Sequence, residues 1–462
     1  MKYKQKQVER SVFRAYDIRG IIGKELNADD FYTIGRAISC RLHQLNRSQI
    51  FLARDGRLTS DELTAALKQG LLNSGISVID LGRAATPVMY FAVNSTDIDS
   101  GLMVTGSHNP ADYNGIKMVL AGKTLVQMDI DEIYNLLEQG IFQDGQGEAL
   151  EQDIMPAYIQ RIVGDIKLKR PLKVVVDCGN GIAGPIIPKV IEALGCEVIP
   201  LFCEVDGRFP NHHPDPTIEA NLVDLKATVA HHQADIGLAF DGDADRLGVI
   251  TDRGQVIWPD RLMMLYAIDL LKRKPGATIV YDVKCSSHLA QVIENAGGVA
   301  RMCPTGHSIV KGVMKTENAA LAGEMSGHLF FKDRWYGFDD ALYSACRLLE
   351  ILSQRDESCS EQFAVIPDSI NTPEIKIPIA ESEKFAFMQR FSMMAQFVDA
   401  KIITIDGLRV EFAKGWGLLR ASNTTPCLVA RFEATDQAAL EEIQVLFRAQ
   451  LQLVDKGLVV SF

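Results

Sequence analysis

Asp241, Asp243 and Asp245 occupy alternate positions in Asp241-Gly-Asp-Ala-Asp-Arg246, directly after the apolar run Ile236-Gly-Leu-Ala-Phe240. The run reads as a buried strand, and the acids emerge together where it ends. Three like charges so close repel one another unless a cation sits among them. An all-oxygen cluster suits a hard divalent ion such as Mg²⁺, Mn²⁺ or Ca²⁺ better than zinc. Arg246 adds a permanent positive charge beside it, which points to a ligand bearing phosphate. Metal-assisted phosphate chemistry is the expectation.

The same run resembles two other motifs. Acids at loop positions 1, 3 and 5, with Asp252 at 12, imitate an EF-hand, but Arg246 stands where the sharp turn needs glycine. Leu247-Gly-Val-Ile-Thr251 also continues as a strand instead of a helix. A phosphatase loop of the form D-x-D-x-T sits at a strand end too. Asp245 replaces its hydroxyl residue here, and that alternative stays open, as does a solvated acidic turn.

Three more loops carry chemistry. Thr105-Gly-Ser-His-Asn-Pro110 follows Gly101-Leu-Met-Val104, so a tight loop presents Ser107 at a strand end. No G-x-S-x-G elbow surrounds it, and a polar turn is the bland alternative. Arg420-Ala-Ser-Asn-Thr-Thr-Pro426 packs a guanidinium, hydroxyls and an amide into one proline-closed loop. That suits a phosphate dianion, though a solvated turn has similar composition. In Gly323-Glu-Met-Ser-Gly-His328, Glu324 and Ser326 suit a pair of sugar hydroxyls, and His328 can titrate near neutrality. A capped turn with an exposed histidine would look much the same.

Such loops need a scaffold, and a weak repeat supplies it. Three stretches share an apolar strand ending in Asp, a helix, a glycine and a second strand. They run Ile50–Asp55 to Gly75–Ile79, Lys173–Asp177 to Gly195–Ile199, and Thr278–Asp282 to Gly297–Ala300. Each glycine falls where a helix should end, and continuously apolar strands indicate parallel sheets covered on both faces. The fold class is therefore α/β: three related α/β domains with mixed or parallel sheets, then a smaller α+β domain. Its signs are strand-like segments at 372–378, 400–405 and 408–412 and an amphipathic helix over 437–454. The boundaries expected are 1–152, 153–255, 256–367 and 368–462.

The 462 residues, 47% hydrophobic and 23% charged, have the balance of a soluble globular protein. A net charge of −11 argues against nucleic acid or an anionic membrane as partner, so local Arg and Lys must hold any phosphate. No segment approaches the roughly 20 apolar residues of a membrane span. Nine scattered cysteines without a Cys-x-x-Cys pair fit reduced thiols in the cytoplasm, with Cys178 and Cys285 buried. Gly179-Asn-Gly-Ile-Ala-Gly184, before a helix opened by Pro185, imitates a dinucleotide fingerprint. The other two repeats lack such glycines, which argues against NAD.

Together these motifs resemble one family, the α-D-phosphohexomutases, in the bacterial phosphomannomutase/phosphoglucomutase branch. The resemblance covers essentially the whole chain in the family's order, from Tyr16-Asp-Ile-Arg-Gly20 to Arg420–Pro426. It implies four domains around one cleft and interconversion of hexose 1- and 6-phosphates of mannose or glucose. Ser107 is then carried as phosphoserine, Asp241, Asp243 and Asp245 bind Mg²⁺ with that phosphate, and a hexose 1,6-bisphosphate is intermediate and primer. Glu324 and Ser326 grip sugar hydroxyls, while Arg420, Ser422, Asn423 and Thr424 hold the non-reacting phosphate. Tyr16, Arg19, Lys117, Arg246, Lys284, His307 and His328 match other cleft positions, with Lys117 and His328 the candidates for acid–base work. Ala244 departs from the family's usual glycine, and its added methyl should not disturb the metal. The Ser326-Gly-His328 form is shared with phosphoglucosamine mutases, so that substrate stays open beside a metal-dependent phosphohydrolase and a non-catalytic phosphosugar-binding module. Nothing in the chain fixes an oligomeric state; a monomer is favoured.

Overall fold

The computed structural model describes residues 3–423, 425–460 and 462. Four sheets follow one another along the chain. In the first, strands Gln49–Arg54, Ser77–Arg83 and Gly101–Val104 run parallel, and Tyr113–Leu120 returns antiparallel beside Gly101–Val104. In the second, Lys173–Asp177, Glu197–Leu201 and Ile236–Phe240 are parallel, and Leu247–Thr251 is antiparallel. Thr278–Asp282, Val299–Cys303 and Leu321–Gly323 with antiparallel Leu329–Phe331 repeat the plan. The three sheets are thus mixed instead of purely parallel. An apolar run does not encode strand direction, and each returning strand follows a loop too short for a crossover helix.

The three repeats fold their turns in the same way. Asp55, Asp177 and Asp282 each accept, through Oδ1, the N–H two residues on, at 3.0, 2.9 and 3.1 Å. These side-chain turns lead the chain off the sheet. Gly75, Gly195 and Gly297 then sit just past the helix ends with φ of 81°, 94° and 81°, where a Cβ would be strained.

Strand pleating joins the first three domains. Phe51 and Ala53, Val174 and Val176, and Ile279 and Tyr281 all point into one shared core. Their alternates point away, Ile50 and Leu52, Val175, and Val280 each into a separate cluster. The loops at the carboxyl ends of these strands are therefore held by one continuous apolar mass. The fourth sheet is wholly antiparallel and has its own core under helices Lys384–Met394 and Gln437–Val454. Its apolar link to the third domain is small: Val283 against Trp416 and Leu418.

The glycine-rich turn is structural. A Cβ on Gly181 would lie 2.9 Å from the Gly242 carbonyl oxygen, and one on Gly184 only 1.8 Å from that of Cys203. Ile182 N–H donates to the Gly242 carbonyl at 3.1 Å, which engages this loop before any helix can form. The helix consequently begins at Ile187, with Pro188 in its first turn, and is not opened by Pro185. All nine cysteines are unpaired, with Cys178 and Cys285 buried. Among the described residues, no helix is long and apolar enough to cross a membrane.

Candidate active site

Strand Ile236–Phe240 is buried along its whole length, and Asp241, Asp243 and Asp245 beyond it are equally inaccessible, each 0% exposed. Ala244 takes a left-handed φ of 62° to turn the loop, and its methyl is buried in the shared core. The strain of alanine in that region, about 1 kcal/mol relative to glycine, is offset by that packing. Asp241 Oδ1 accepts the N–H groups of Asp245 and Arg246, both at 3.0 Å, leaving Oδ2 toward Ser107. Asp243 Oδ2 accepts from Thr86 Oγ1 at 2.6 Å and Lys117 Nζ at 2.7 Å; Lys117 also bonds Asp245 Oδ2.

The remaining oxygens, Oδ1 of Asp243 and of Asp245, are buried with no hydrogen-bond partner among the described residues. Burial, then repulsion from Asp245 and Asp243, drives Asp241 well above the usual carboxylate range. Burial would also raise Asp243, but Lys117 outweighs it and holds that carboxyl far below. Lys117 itself would be depressed by burial, yet the three acids hold it above its ordinary value. One lysine therefore neutralises part of the cluster, and the donor set left over fits a hard divalent cation.

Ser107 reaches this cluster from the first domain. It is 2% exposed with φ of 50°, and its Oγ lies 3.2 Å from Asp241 Oδ2 and 3.1 Å from His108 Nδ1. Strand pairing sets Lys117 opposite Met103, and so beside the serine loop. Arg19, on the strand Ile18–Ile21, donates to Asn109 Oδ1 of that loop and pairs with Asp17.

The third domain closes the other side. Arg246 Nε donates to His328 Nε2 at 3.1 Å, while His328 Nδ1 lies 3.1 Å from Asp339 Oδ2 and 3.5 Å from Asp245 Oδ1. His307 packs its ring against Tyr16 and His328, and burial, then nearby Lys311, pushes it well below the ordinary imidazole value. Glu324 Oε1 accepts the Gly306 N–H at 2.7 Å, and burial raises its carboxyl.

Arg420 is the penultimate residue of the strand Gly415–Ala421 in the fourth domain; its Nε donates to Asp406 Oδ2 at 2.9 Å. Its buried Nη2 has no hydrogen-bond partner among the described residues. Ser422 Oγ meets Thr425 Oγ1 at 2.8 Å, and Asn423 Nδ2 donates to the Tyr16 hydroxyl at 2.5 Å. Thr424 lies outside the described residues. Lys284 Nζ crosses to Glu374 Oε1 at 2.6 Å.

A cavity of about 770 Å³ separates these groups. Tyr16, Arg246, Lys284, His307, Glu324, Ser326, His328, Arg420, Ser422 and Asn423 line it. Ser107, Lys117 and the three acids stand directly behind His108, Arg246 and His328, and Arg19 reaches the serine loop through Asn109. The cavity thus has a serine hydroxyl and acid cluster behind one side, a carboxylate and hydroxyl pair on its wall, and an underused guanidinium across from them. That arrangement can bind a small polyol with a phosphate at each end.

Several residues here were not singled out from sequence. His108, Asp215, Trp258, Glu374 and Lys376 also line the cavity, Asp339 and Asp406 hold its His328 and Arg420 side chains, and Thr86 and Lys311 bond Asp243 and Asp339 behind it. Only His108 had a signal, its place inside the serine motif.

Four family models match in order: phosphoglucomutase/phosphomannomutase alpha/beta/alpha domain I over 10–144, domain II over 156–254, domain III over 258–369, and the C-terminal domain over 374–450. The chain belongs to the phosphoglucomutase/phosphomannomutase family. It is accordingly an enzyme, a phosphoryl-transferring mutase. It is 52% identical over 452 residues to a phosphomannomutase/phosphoglucomutase of Pseudomonas aeruginosa, covering 98% of each chain. A phosphoglucomutase of Neisseria gonorrhoeae is 52% identical over 449 residues, covering 96% of this chain and 97% of its own. The crystal structure of a family protein from Burkholderia thailandensis superposes with a TM-score of 0.94 at 48% identity, covering 99% of this chain and all of that one.

Proposed function

We propose that the protein interconverts the 1- and 6-phosphates of mannose and glucose through a phosphoserine at Ser107. The observation that carries this reading is Ser107 Oγ at 3.2 Å from Asp241, within a buried acid cluster and across one cavity from Arg420. In the forward half-reaction the bond from phosphorus to Ser107 Oγ breaks and one to the free sugar hydroxyl forms, giving a 1,6-bisphosphate. The hydroxyl's proton goes to a cleft base, and Ser107 recovers one. Reorientation of the bisphosphate and the reverse transfer complete the cycle, and added bisphosphate primes unphosphorylated enzyme.

Asp241, Asp243 and Asp245 would hold Mg²⁺, which when bound offsets charge on the transferring phosphoryl group. Lys117 and Arg246 add positive charge at the same end, and Arg19 holds the serine loop through Asn109. Lys117 and His328, which both approach Asp245, are the acid–base candidates, and Lys117, held protonated by the acids, would serve as the acid. Glu324 and Ser326 take sugar hydroxyls; Arg420, Ser422, Asn423 and Thr424 take the distal phosphate, with Tyr16, Lys284 and His307 around it. The separate core of the fourth domain, and its small apolar link to the third, support its acting as a lid.

A coupled assay on mannose and glucose 1-phosphates, with Mg²⁺ and a 1,6-bisphosphate, tests the reading. Comparable turnover of both, with acid-stable phosphate recovered on Ser107, is expected. Preference for glucosamine phosphate would reassign the substrate. Release of inorganic phosphate without isomerisation would replace the mutase reading by a phosphohydrolase.

A further inference from the structure

Arg57 touches no part of the cavity, yet its side chain is 1% exposed and every N–H of its guanidinium has an acceptor. Nε donates to Asp55 Oδ2 at 3.2 Å. Nη1 donates to the carbonyls of Pro110 and Tyr113 at 2.5 and 3.0 Å. Nη2 donates to those of Ser107 and Asn109 at 2.7 and 2.6 Å. Four of these acceptors belong to the segment that carries the proposed nucleophile. A planar guanidinium can serve them together; an ammonium, with three donors on one atom, cannot.

The neighbouring glycines are shaped to this arrangement. A Cβ on Gly106 would stand 2.5 Å from Arg57 Cζ, so the guanidinium lies flat against the Gly106 α-carbon. From the second domain, a Cβ on Gly207 would come within 2.6 Å of Arg57 Cα, and the Phe209 ring covers the guanidinium at 5.1 Å. The Ser107 carbonyl oxygen that accepts from Nη2 is also the atom a Cβ on Gly242 would meet, at 2.5 Å. Gly242 lies between the acids Asp241 and Asp243. The Ser107 peptide is therefore wedged between a guanidinium on one side and the backbone of the acid loop on the other. Its φ of 50° is unfavourable for serine and persists only where the surroundings over-determine it.

We propose that Arg57 is a positioning residue for Ser107: with Gly242 it clamps the serine's main chain so that Oγ faces Asp241. The inference rests on the phosphoserine reading above. In-line transfer tolerates little error in the position of the attacking oxygen, so loosening the clamp should slow chemistry more than it weakens substrate binding.

The test compares purified full-length wild type with Arg57→Lys and Gly242→Ala, measuring kcat, KM and the melting temperature. Each variant is expected to lose about 30-fold or more in kcat with KM held within about twofold, and Arg57→Gln is expected to lose at least as much as Arg57→Lys. A merely structural role would lower the melting temperature and leave kcat of the folded enzyme unchanged. Should Arg57→Lys fail to fold, Gly242→Ala decides, because it leaves every hydrogen bond of Arg57 chemically available. Folded variants with kcat within about threefold of an active wild type overturn the clamp alone. A wild type without mutase turnover or Ser107 phosphate overturns the phosphoserine reading, and the clamp with it.

Discussion

Ser107 Oγ and Asp241 Oδ2 stand 3.2 Å apart although 134 residues separate them in the chain. Replacing Ser107 by Ala removes the hydroxyl proposed to carry the phosphoryl unit and leaves the lining of the cavity intact. Turnover should fall at least about 10³-fold while calorimetry still detects hexose phosphate binding within about twofold of wild type. A Ser107→Ala enzyme at the wild-type rate would remove the phosphoserine from the mechanism.

Lys117 is 3% exposed and bonds two fully buried acids, Asp243 and Asp245. Breaking a buried ion pair strands the partner charge and costs about 3–5 kcal/mol. Lys117→Ala should therefore be less stable than wild type in EDTA, by about 3 kcal/mol in urea titration, with Mg²⁺ returning part of the loss. Equal stability of the two proteins in EDTA would mean that the lysine does not neutralise the cluster.

Chelation should separate activity from folding. With no hydrogen bond to the Oδ1 atoms of Asp243 and Asp245 among the described residues, EDTA should abolish turnover of the wild type, and Mg²⁺ should restore it. Full activity in EDTA after exhaustive dialysis would count against a metal at these acids.

Arg420 offers a buried Nη2 to the cavity while Asp406 fixes its Nε. A charge-assisted pair of this kind contributes about 1.5–3 kcal/mol, so Arg420→Ala should raise KM about 10- to 100-fold. Asp406→Asn should give a smaller increase in KM, since it only frees the guanidinium to wander. An Arg420→Ala enzyme with wild-type KM would place the distal phosphate elsewhere.

Asp340 caps the helix Ala341–Ser353, accepting from Tyr343 N–H and from the Tyr158 hydroxyl at 2.9 Å. Burial lifts its carboxyl from 3.8 to about 7. Between those values the folded protein keeps a proton that the unfolded chain has released. The associated stability is present below about pH 4 and is lost as pH rises through about 7, a change on the order of 4 kcal/mol. Asp340→Asn should remove that component, so the stability gap between wild type and variant should shift in favour of the variant from pH 4.5 to 7.5. A gap that stays constant across the window would show that Asp340 is ionised throughout.

What the sequence carried was local. The apolar strands ending in Asp55, Asp177 and Asp282 were visible because a carboxylate that turns the chain must follow the strand it ends. The helix Gln437–Val454 was readable from its periodicity. Helix Lys384–Met394 escaped because Glu383 gives no side-chain cap and no breaker marks its start. Within the site, motifs located the loops, but no motif pointed to Arg57, Lys311, Asp339 or Asp406. An isolated charged residue looks like a solvated one until the fold buries it; Asp339 meets His328 and Lys311 only once the third domain has folded. The glycines of 179–184 imitate a dinucleotide fingerprint for the complementary reason, since close backbone approach demands glycine whether the neighbour is a dinucleotide or, as here, Gly242 and Cys203.

The bond from Asn423 to Tyr16 spans 407 positions of sequence. A nascent polypeptide leaving the ribosome therefore carries its serine and its acid trio well before it owns the loop proposed to seize the far end of a sugar. Only after the last segment emerges and swings back to the first does the pocket gain its closing wall, so chains cut short before Arg420 should be born idle.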